Sequence, residues 1–315
     1  AVDRFGRKGD DFAGAAVLKI FEAKGRPADN PLIAHIAHPD ALSLLARRVP
    51  ERARALMRAF WPGPLTLIFE KKDAVPAEVS AGLSTVAVRM PSHPAAAALL
   101  RAAGVPVAAP SANRSGRPSP TAAAHVLEDM DGRIPLILDG GPCGVGVEST
   151  VVDMTGAHPL LLRPGGVTPE MLRTLAPDLA IDPAVLHPLA PGAQARSPGM
   201  KYRHYAPKAE LTVVIGEPRA AAKKISELYA SYEMQNKVCE IAATEQTKHF
   251  YSGKRYVILG DKDHPETLCA SLFAALRELD ERADCILAEG VSPEEAGLAY
   301  MNRLLRAAGF RIVRV

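Results

Sequence analysis

The 315-residue sequence predicts an α/β protein in two parts, and three observations predict it. Apolar runs of strand length alternate with amphipathic helical stretches in both halves. A Pro- and Ala-rich stretch with no amphipathic period, DLAIDPAVLHPLAPGAQ from Asp178 to Gln194, separates the halves. Beyond it the strand-helix alternation becomes regular, which is the pattern of a small parallel, doubly wound sheet.

The elements follow in order. Asp11 to Lys24 reads as an amphipathic helix with Val17, Ile20 and Phe21 on one face, and LIAHI (Leu32 to Ile36) as a strand. A second helix is expected from about Asp40 to Phe60, before WPGPLTLIFEK turns at Pro62-Gly63-Pro64 into another strand. STVAVRMP, VPVAAPSA, IPLILDGG and STVVDMT supply further β-rich runs, with helices at about His93 to Ala103 and Thr121 to Asp129. After the linker, LTVVIG, KVCEIA, RYVILG, DCILAEG and RIVRV read as strands. Pro218 to Tyr229, His264 to Asp280 and Pro293 to Ala308 read as helices between them. The expected boundaries are 1–176 for the first domain, 177–209 for a linker that doubles as a lid, and 210–315 for the second domain.

Composition removes several function classes. A hydrophobic fraction of 48% and a charged fraction of 23% describe an ordinary globular chain. The net charge of +3 permits an anionic ligand without arguing for a nucleic-acid coat. Aromatics at 5% are too few for an extended base-stacking platform. Cys143, Cys239, Cys269 and Cys285 are too scattered for zinc or a disulfide framework, so reduced, buried thiols are expected. No apolar run reaches membrane-span length and no signal peptide opens the chain, which gives a cytoplasmic expectation. Neither GxGxxG nor GxxxxGK[ST] occurs.

Three segments carry chemistry. In KGRPADNPL, Lys24 and Arg26 flank Gly25 at a helix exit and Pro27 turns the chain away. Two cations on a rigid exit suit phosphate, with Asn30 as a fixed amide, although a plain helix C-terminus reads equally well. In APSANRSGRPSP a buried strand runs into a loop of small residues whose N–H groups, with the Ser111 and Ser119 hydroxyls, can approach phosphate closely. SPGMKYRHYAP packs Lys201, Tyr202, Arg203, His204 and Tyr205 together, which suits a segment that closes over a site.

Isolated residues add to these. His35 lies on the LIAHI strand just after the cationic loop. Thr85 and Arg89 are four apart on one strand and share a face, where the arginine needs an internal carboxylate or an anionic ligand. Ser149 opens a strand after a glycine-rich stretch, and Arg163 ends another before a Pro-Gly break.

Taken together, KGRPxxNPL, WPGPLT, RMP, APSANxSG, ESTVVD, LRPG, SPGMKYRHYAP and GLAYMNRLLRAA resemble the threonylcarbamoyl-AMP synthases of the long, two-domain Sua/YrdC type, from about residue 11 to the end. The resemblance implies a YrdC-like twisted mixed-sheet domain with a basic cleft and a smaller Rossmann-like parallel-sheet domain. It implies that L-threonine, bicarbonate and ATP, with Mg2+, yield threonylcarbamoyl-adenylate and pyrophosphate. A partner machinery would then move the threonylcarbamoyl group to adenosine 37 of tRNA.

Carried over by position, Lys24 and Arg26 would be the catalytic cations. Arg26, Asn30, Thr85, Ser111, Ser119, Arg163 and Ser197 would bind ATP, and His35, Arg89 and Ser149 would bind threonine. The resemblance does not identify metal ligands. Where the family carries a PTETVYGLG-like segment, this chain reads AVDRFGRKGDDFAG, and the expectation is that part of the natural N-terminus is missing here. Weak RNA binding is a further expectation of a basic cleft. A purely RNA-binding protein is the competing reading and predicts salt-sensitive RNA affinity without ATP turnover. A hydrogenase-maturation carbamoyltransferase would need an acylphosphatase module and zinc-finger cysteines, which the sequence does not carry.

Overall fold

The computed structural model describes residues 10–189, 192, 195–198 and 204–315, with residues 10–13 through their backbone alone. The chain divides into two compact units. The first takes in the residues up to Ser115, then Leu127–Gly140, then Glu148 to the described part of the linker. The second takes in Gly116–Val126, Gly141–Val147 and the described residues from 204 on.

The first unit is built on a mixed seven-stranded sheet. Its strands are β1 (Ile33–His35), β2 (Leu65–Glu70), β3 (Thr85–Arg89), β4 (Val107–Ala109), β5 (Thr150–Asp153), β6 (Leu160–Arg163) and β7 (Ala180–Ile181). Their order is β4-β1-β3-β2-β5-β6-β7. Parallel pairs (β1 with β3, β2 with β5, β6 with β7) alternate with antiparallel ones (β1 with β4, β2 with β3, β5 with β6). Ile33, Ile68, Ala87, Val151 and Leu162 form a core on one face of this sheet.

The stretch expected as linker begins on that same face. Ala180 and Ile181 pair with Leu160 and Leu161, and Ala184 and Ala195 join the core. Arg196 clamps the stretch through Asp182 at 2.8 Å and Asp153 at 3.4 Å. A proline-rich extended chain can bury small side chains without any helical or strand period.

Some local expectations change. The helix expected from Asp40 to Phe60 is a 3-10 turn at Pro39–Ala41, a short helix Leu42–Leu45 and a separate helix Glu51–Phe60. The break comes at Pro50, whose extended backbone caps the second helix, and at Ala46, which bridges to Lys71. IPLILDGG forms no strand, and its Leu136 and Leu138 are exposed. A strand needs a neighbour to complete its ladder, and Pro135 has already removed one donor. Cys143 is exposed rather than buried, because it sits in an irregular loop; the other three thiols are buried.

The second unit has five strands: β8 (Glu210–Ile215), β9 (Cys239–Thr244), β10 (Tyr256–Gly260), β11 (Cys285–Glu289) and β12 (Ile312–Arg314). Their order is β10-β9-β11-β8-β12 and every pair is parallel. Helix Pro218–Met234, longer than expected, buries Ala222, Ile225 and Tyr229 against Ile241, Cys285 and Leu287. The crossover from β8 to β9 and those from β10 to β11 and β11 to β12 run in opposite directions across the sheet. Right-handed connections therefore place helices Pro265–Asp280 and Glu295–Ala307 on the opposite face. No described helix is long and apolar enough to cross a membrane.

Candidate active site

Sheet register lines up the polar residues of the first unit. His35 lies opposite Arg89, Arg89 opposite Thr66, Thr66 opposite Val151, and Val151 opposite Arg163. Directly opposed residues share a face, so His35, Arg89, Thr66 and Arg163, with Val151 between the last two, form one row across five strands. Two residues along, the parallel row is Ile33, Ala87 and Ile68, which belongs to the apolar core. The site is thus the polar margin of a hydrophobic face.

Arg163 is buried and organises this margin. Its Nε donates to the Ser149 carbonyl at 3.0 Å, Nη2 to Ser149 Oγ at 3.1 Å and Nη1 to the Pro198 carbonyl at 3.4 Å. Ser149 Oγ lies 2.7 Å from Thr66 Oγ1. The turn after Arg163 presses on the same backbone. A Cβ on Gly165 would stand 2.3 Å from the Glu148 carbonyl oxygen and 2.5 Å from Thr150 N, both backbone atoms that cannot yield cheaply. Gly165→Ala is expected to cost about 2–3 kcal/mol of stability, which a thermal melt will read directly.

Arg89 is held differently. Its Nε donates to the Gly63 carbonyl at 3.0 Å. Among the described residues its terminal nitrogens have no acceptor and no carboxylate pairs with it. Burial, and then the nearby charge of Arg163, pulls its pKa down to about 10. His35 Nδ1 is buried, with no hydrogen-bond partner among the described residues. Burial and then the Arg89 charge lower His35 to about 4, against a smaller upward pull from the Val107 and Ile33 carbonyls. His35 is therefore neutral at ordinary pH, and the charge of this row rests on its arginines.

A second group gathers at the other end of β3. Thr85 shares the face of Arg89 but lies four residues away, about 13 Å along the strand. There β1 begins and the antiparallel β4 ends, since Ile33 pairs with both Ala87 and Ala109. The loops that carry Arg26 and Ser111 consequently meet at this end. Lys24 closes helix Asp10–Lys24, and its Nζ donates to the Ser111 carbonyl at 2.6 Å and to the Asn113 carbonyl. Ser111 Oγ donates to Asn113 Oδ1 at 2.5 Å, and Ser115 N donates to the Lys24 carbonyl at 2.9 Å.

Lys24 is buried, and its pKa falls from 10.5 to about 7 through desolvation first and the Arg26 charge second, with Asp129 pulling the other way. Arg26 curls over its own loop, donating to the carbonyls of Asn30 at 3.2 Å and Pro31 at 2.9 Å. Asn30 is buried, and its Oδ1 has no partner among the described residues.

The structure thus brings Lys24, Arg26, Asn30, Thr85 and Ser111 to one end of the face, and His35, Arg89, Ser149 and Arg163 to the other. Arg163 stands with Ser149 rather than with the cationic loop. Ser197 is buried beside it in sequence with the Pro198 carbonyl that Arg163 holds. Ser119 falls in the second unit. Of the lid residues, His204 and Tyr205 are buried in the second unit, with rings 5.6 Å apart. Lys201, Tyr202 and Arg203 lie outside the described residues.

Sequence reasoning passed over Thr66, Asn113 and Asp129. Thr66 is a hydroxyl in an otherwise apolar strand and Asn113 a buried amide inside APSANRSG, so both had a signal. Asp129 receives the Arg114 N–H at 3.2 Å, and nothing local marked it.

These features define a class of protein: a two-unit α/β protein whose mixed sheet presents cations and hydroxyls to anionic small molecules. Comparisons make it particular. Residues 9–165 match a family model described as "Telomere recombination", and residues 167–309 match one described as "Threonylcarbamoyl-AMP synthase, C-terminal domain". The threonylcarbamoyl-AMP synthase of Pyrococcus abyssi is 48% identical over 95% of this chain and 86% of its own length. That of Bacillus subtilis is 48% identical over 95% and 85%. The crystal structure of P. abyssi Sua5 complexed with L-threonine superposes with a TM-score of 0.89 at 47% identity, covering 96% of this chain and 86% of that one. The chain belongs to the threonylcarbamoyl-AMP synthase family.

Proposed function

We propose that this chain makes L-threonylcarbamoyl-adenylate from L-threonine, bicarbonate and ATP. The threonine amine takes up the bicarbonate carbon with loss of water, giving a carbamate. A carbamate oxygen then attacks the α-phosphorus of ATP, and pyrophosphate leaves. The observation that carries this reading is Arg89, a half-buried guanidinium beside Arg163 with no carboxylate partner among the described residues. Such a group suits the carboxylate of a small amino acid, in bidentate contact.

In this proposal Arg89, His35 and Ser149 hold threonine, with neutral His35 free to accept a hydrogen bond. Lys24 and Arg26 stabilise negative charge on the phosphates. Asn30, Thr85, Ser111, Ser119, Arg163 and Ser197 orient the nucleotide. The chemistry needs orientation and cationic stabilisation rather than a covalent nucleophile. Magnesium enters as part of the nucleotide substrate, held by phosphate oxygens and water. Among the described residues no group of three or more His, Cys, Asp or Glu side chains is placed to hold a metal ion. The mixed anhydride is prone to hydrolysis, and segment 197–207 serves as its lid. The product passes to a tRNA threonylcarbamoyl-transfer machinery, and RNA contact by this chain itself is weak.

The test is pyrophosphate release from ATP. Release is expected only when threonine and bicarbonate are both supplied. Release without threonine, or none with all three substrates, would overturn the reading; salt-sensitive RNA binding would then favour the non-enzymatic alternative.

A further inference from the structure

Helix Pro265–Asp280 of the second unit carries Ala270, Phe273 and Arg277 at i, i+3 and i+7, which is one stripe of its surface. Each meets a segment that lies outside the parallel sheet. A Cβ on Gly146, whose φ is +74°, would stand 2.3 Å from both the Cα of Ala270 and the carbonyl oxygen of Cys269, so the 141–147 loop lies directly on the helix backbone. The Tyr205 ring sits 5.0 Å from Phe273, and Arg303 lies 6.0 Å over the Tyr205 ring. Arg277, only 4% exposed, donates from Nη2 to the Pro118 carbonyl at 2.6 Å.

The last contact reaches the loop that carries Ser119. Pro118 and Pro120 fix φ on both sides of that serine, so a donor that holds the Pro118 carbonyl also sets the direction of the Ser119 hydroxyl. A second tether acts on the same loop, since Ala206 N donates to the Gly116 carbonyl at 2.8 Å. A guanidinium this buried is costly unless its donors are used, and a carbonyl fixed between two prolines is a partner that cannot turn away.

We propose that Arg277 is a positioning residue for adenylate formation, holding the Gly116–Pro120 loop so that Ser119 is presented to ATP. The inference rests on the ATP-dependent reading proposed above. The helix stripe is the fixed support, and the loop is the part it orients.

The test compares Arg277→Met, Arg277→Lys, Ser119→Ala and the double variant Arg277→Met/Ser119→Ala in the pyrophosphate-release assay, with melting recorded for each. Arg277→Met is expected to raise the KM for ATP about tenfold. The KM for threonine should change by no more than about twofold. Arg277→Lys keeps a donor and should recover part of the ATP affinity. It also carries the test if the methionine variant does not fold. Because Arg277 acts through Ser119, the double variant should bind ATP no worse than the poorer single one. Additive losses, or equal rises in both KM values, would overturn the inference. Wild-type protein without threonine-dependent release would instead overturn the ATP-dependent reading, so the two failures are distinguishable.

Discussion

Replacing Arg89 with methionine is expected to weaken threonine binding about a hundredfold while leaving the protein as stable or more stable. The two effects have one cause. Arg89 lies between His35 and Thr66 on a face whose neighbouring row is apolar, with Arg163 close enough to lower its pKa. Among the described residues only Nε is used internally, in the bond to Gly63. An unpartnered cation in such a place costs stability, and it suits a bound carboxylate for the same reason. Methionine fills similar length, removes the repulsion with Arg163 and forfeits one hydrogen bond worth about 1 kcal/mol. Calorimetric titration with threonine and a thermal melt measure the two halves. Unchanged threonine affinity, together with a lowered melting temperature, would make Arg89 a structural residue and remove the main support for the threonine end of the site.

Arg89 also illustrates what the sequence could reveal. Its place on a strand and its shared face with Thr85 follow from a period of two, which is local. Its company does not. His35, Thr66 and Arg163 become its row only through the register of five strands that are far apart in the chain. The motif resemblance supplied Arg163, but not its hydrogen bonds to Ser149 and Pro198, which fix it at that end of the row.

The misread elements share a different cause. IPLILDGG has the apolar content of a strand but pairs with no strand among the described residues. The run from Asp40 to Phe60 has helical composition on both sides of Pro50, where the backbone must be extended. Asp178–Gln194 has no period, yet Ala184 and Val185 are buried, because an irregular segment can follow the contour of a core it did not help to pattern. Periodicity reports what an element could bury, while pairing and packing decide whether it does.

ATP binding above neutral pH is expected to draw protons into the protein, and Lys24 is the group that takes them up. With its pKa lowered to about 7, Lys24 loses its proton in the free protein as pH rises through neutrality. The unfolded chain keeps that proton up to the ordinary value of 10.5. Between these two values the unfolded state therefore holds more protons, and this group's contribution makes stability rise with pH across the window. Binding has the opposite slope. Phosphate oxygens beside Nζ favour the charged amine, so the complex retains a proton that the free protein has lost. Affinity for ATP should then fall by up to about tenfold per pH unit above 7.

Titrations at pH 8 in two buffers of different ionisation enthalpy should show uptake of about one proton per ATP bound. Lys24→Met should abolish both the uptake and the pH slope. It should also cost about 1–3 kcal/mol of stability for each of the Ser111 and Asn113 carbonyls left without a donor. If wild-type protein bound ATP with no proton uptake and no slope, Lys24 would be charged throughout. Its bonds to the Ser111 and Asn113 carbonyls would then describe a helix end stapled to a loop, and Arg26 alone would remain as the cation that meets phosphate.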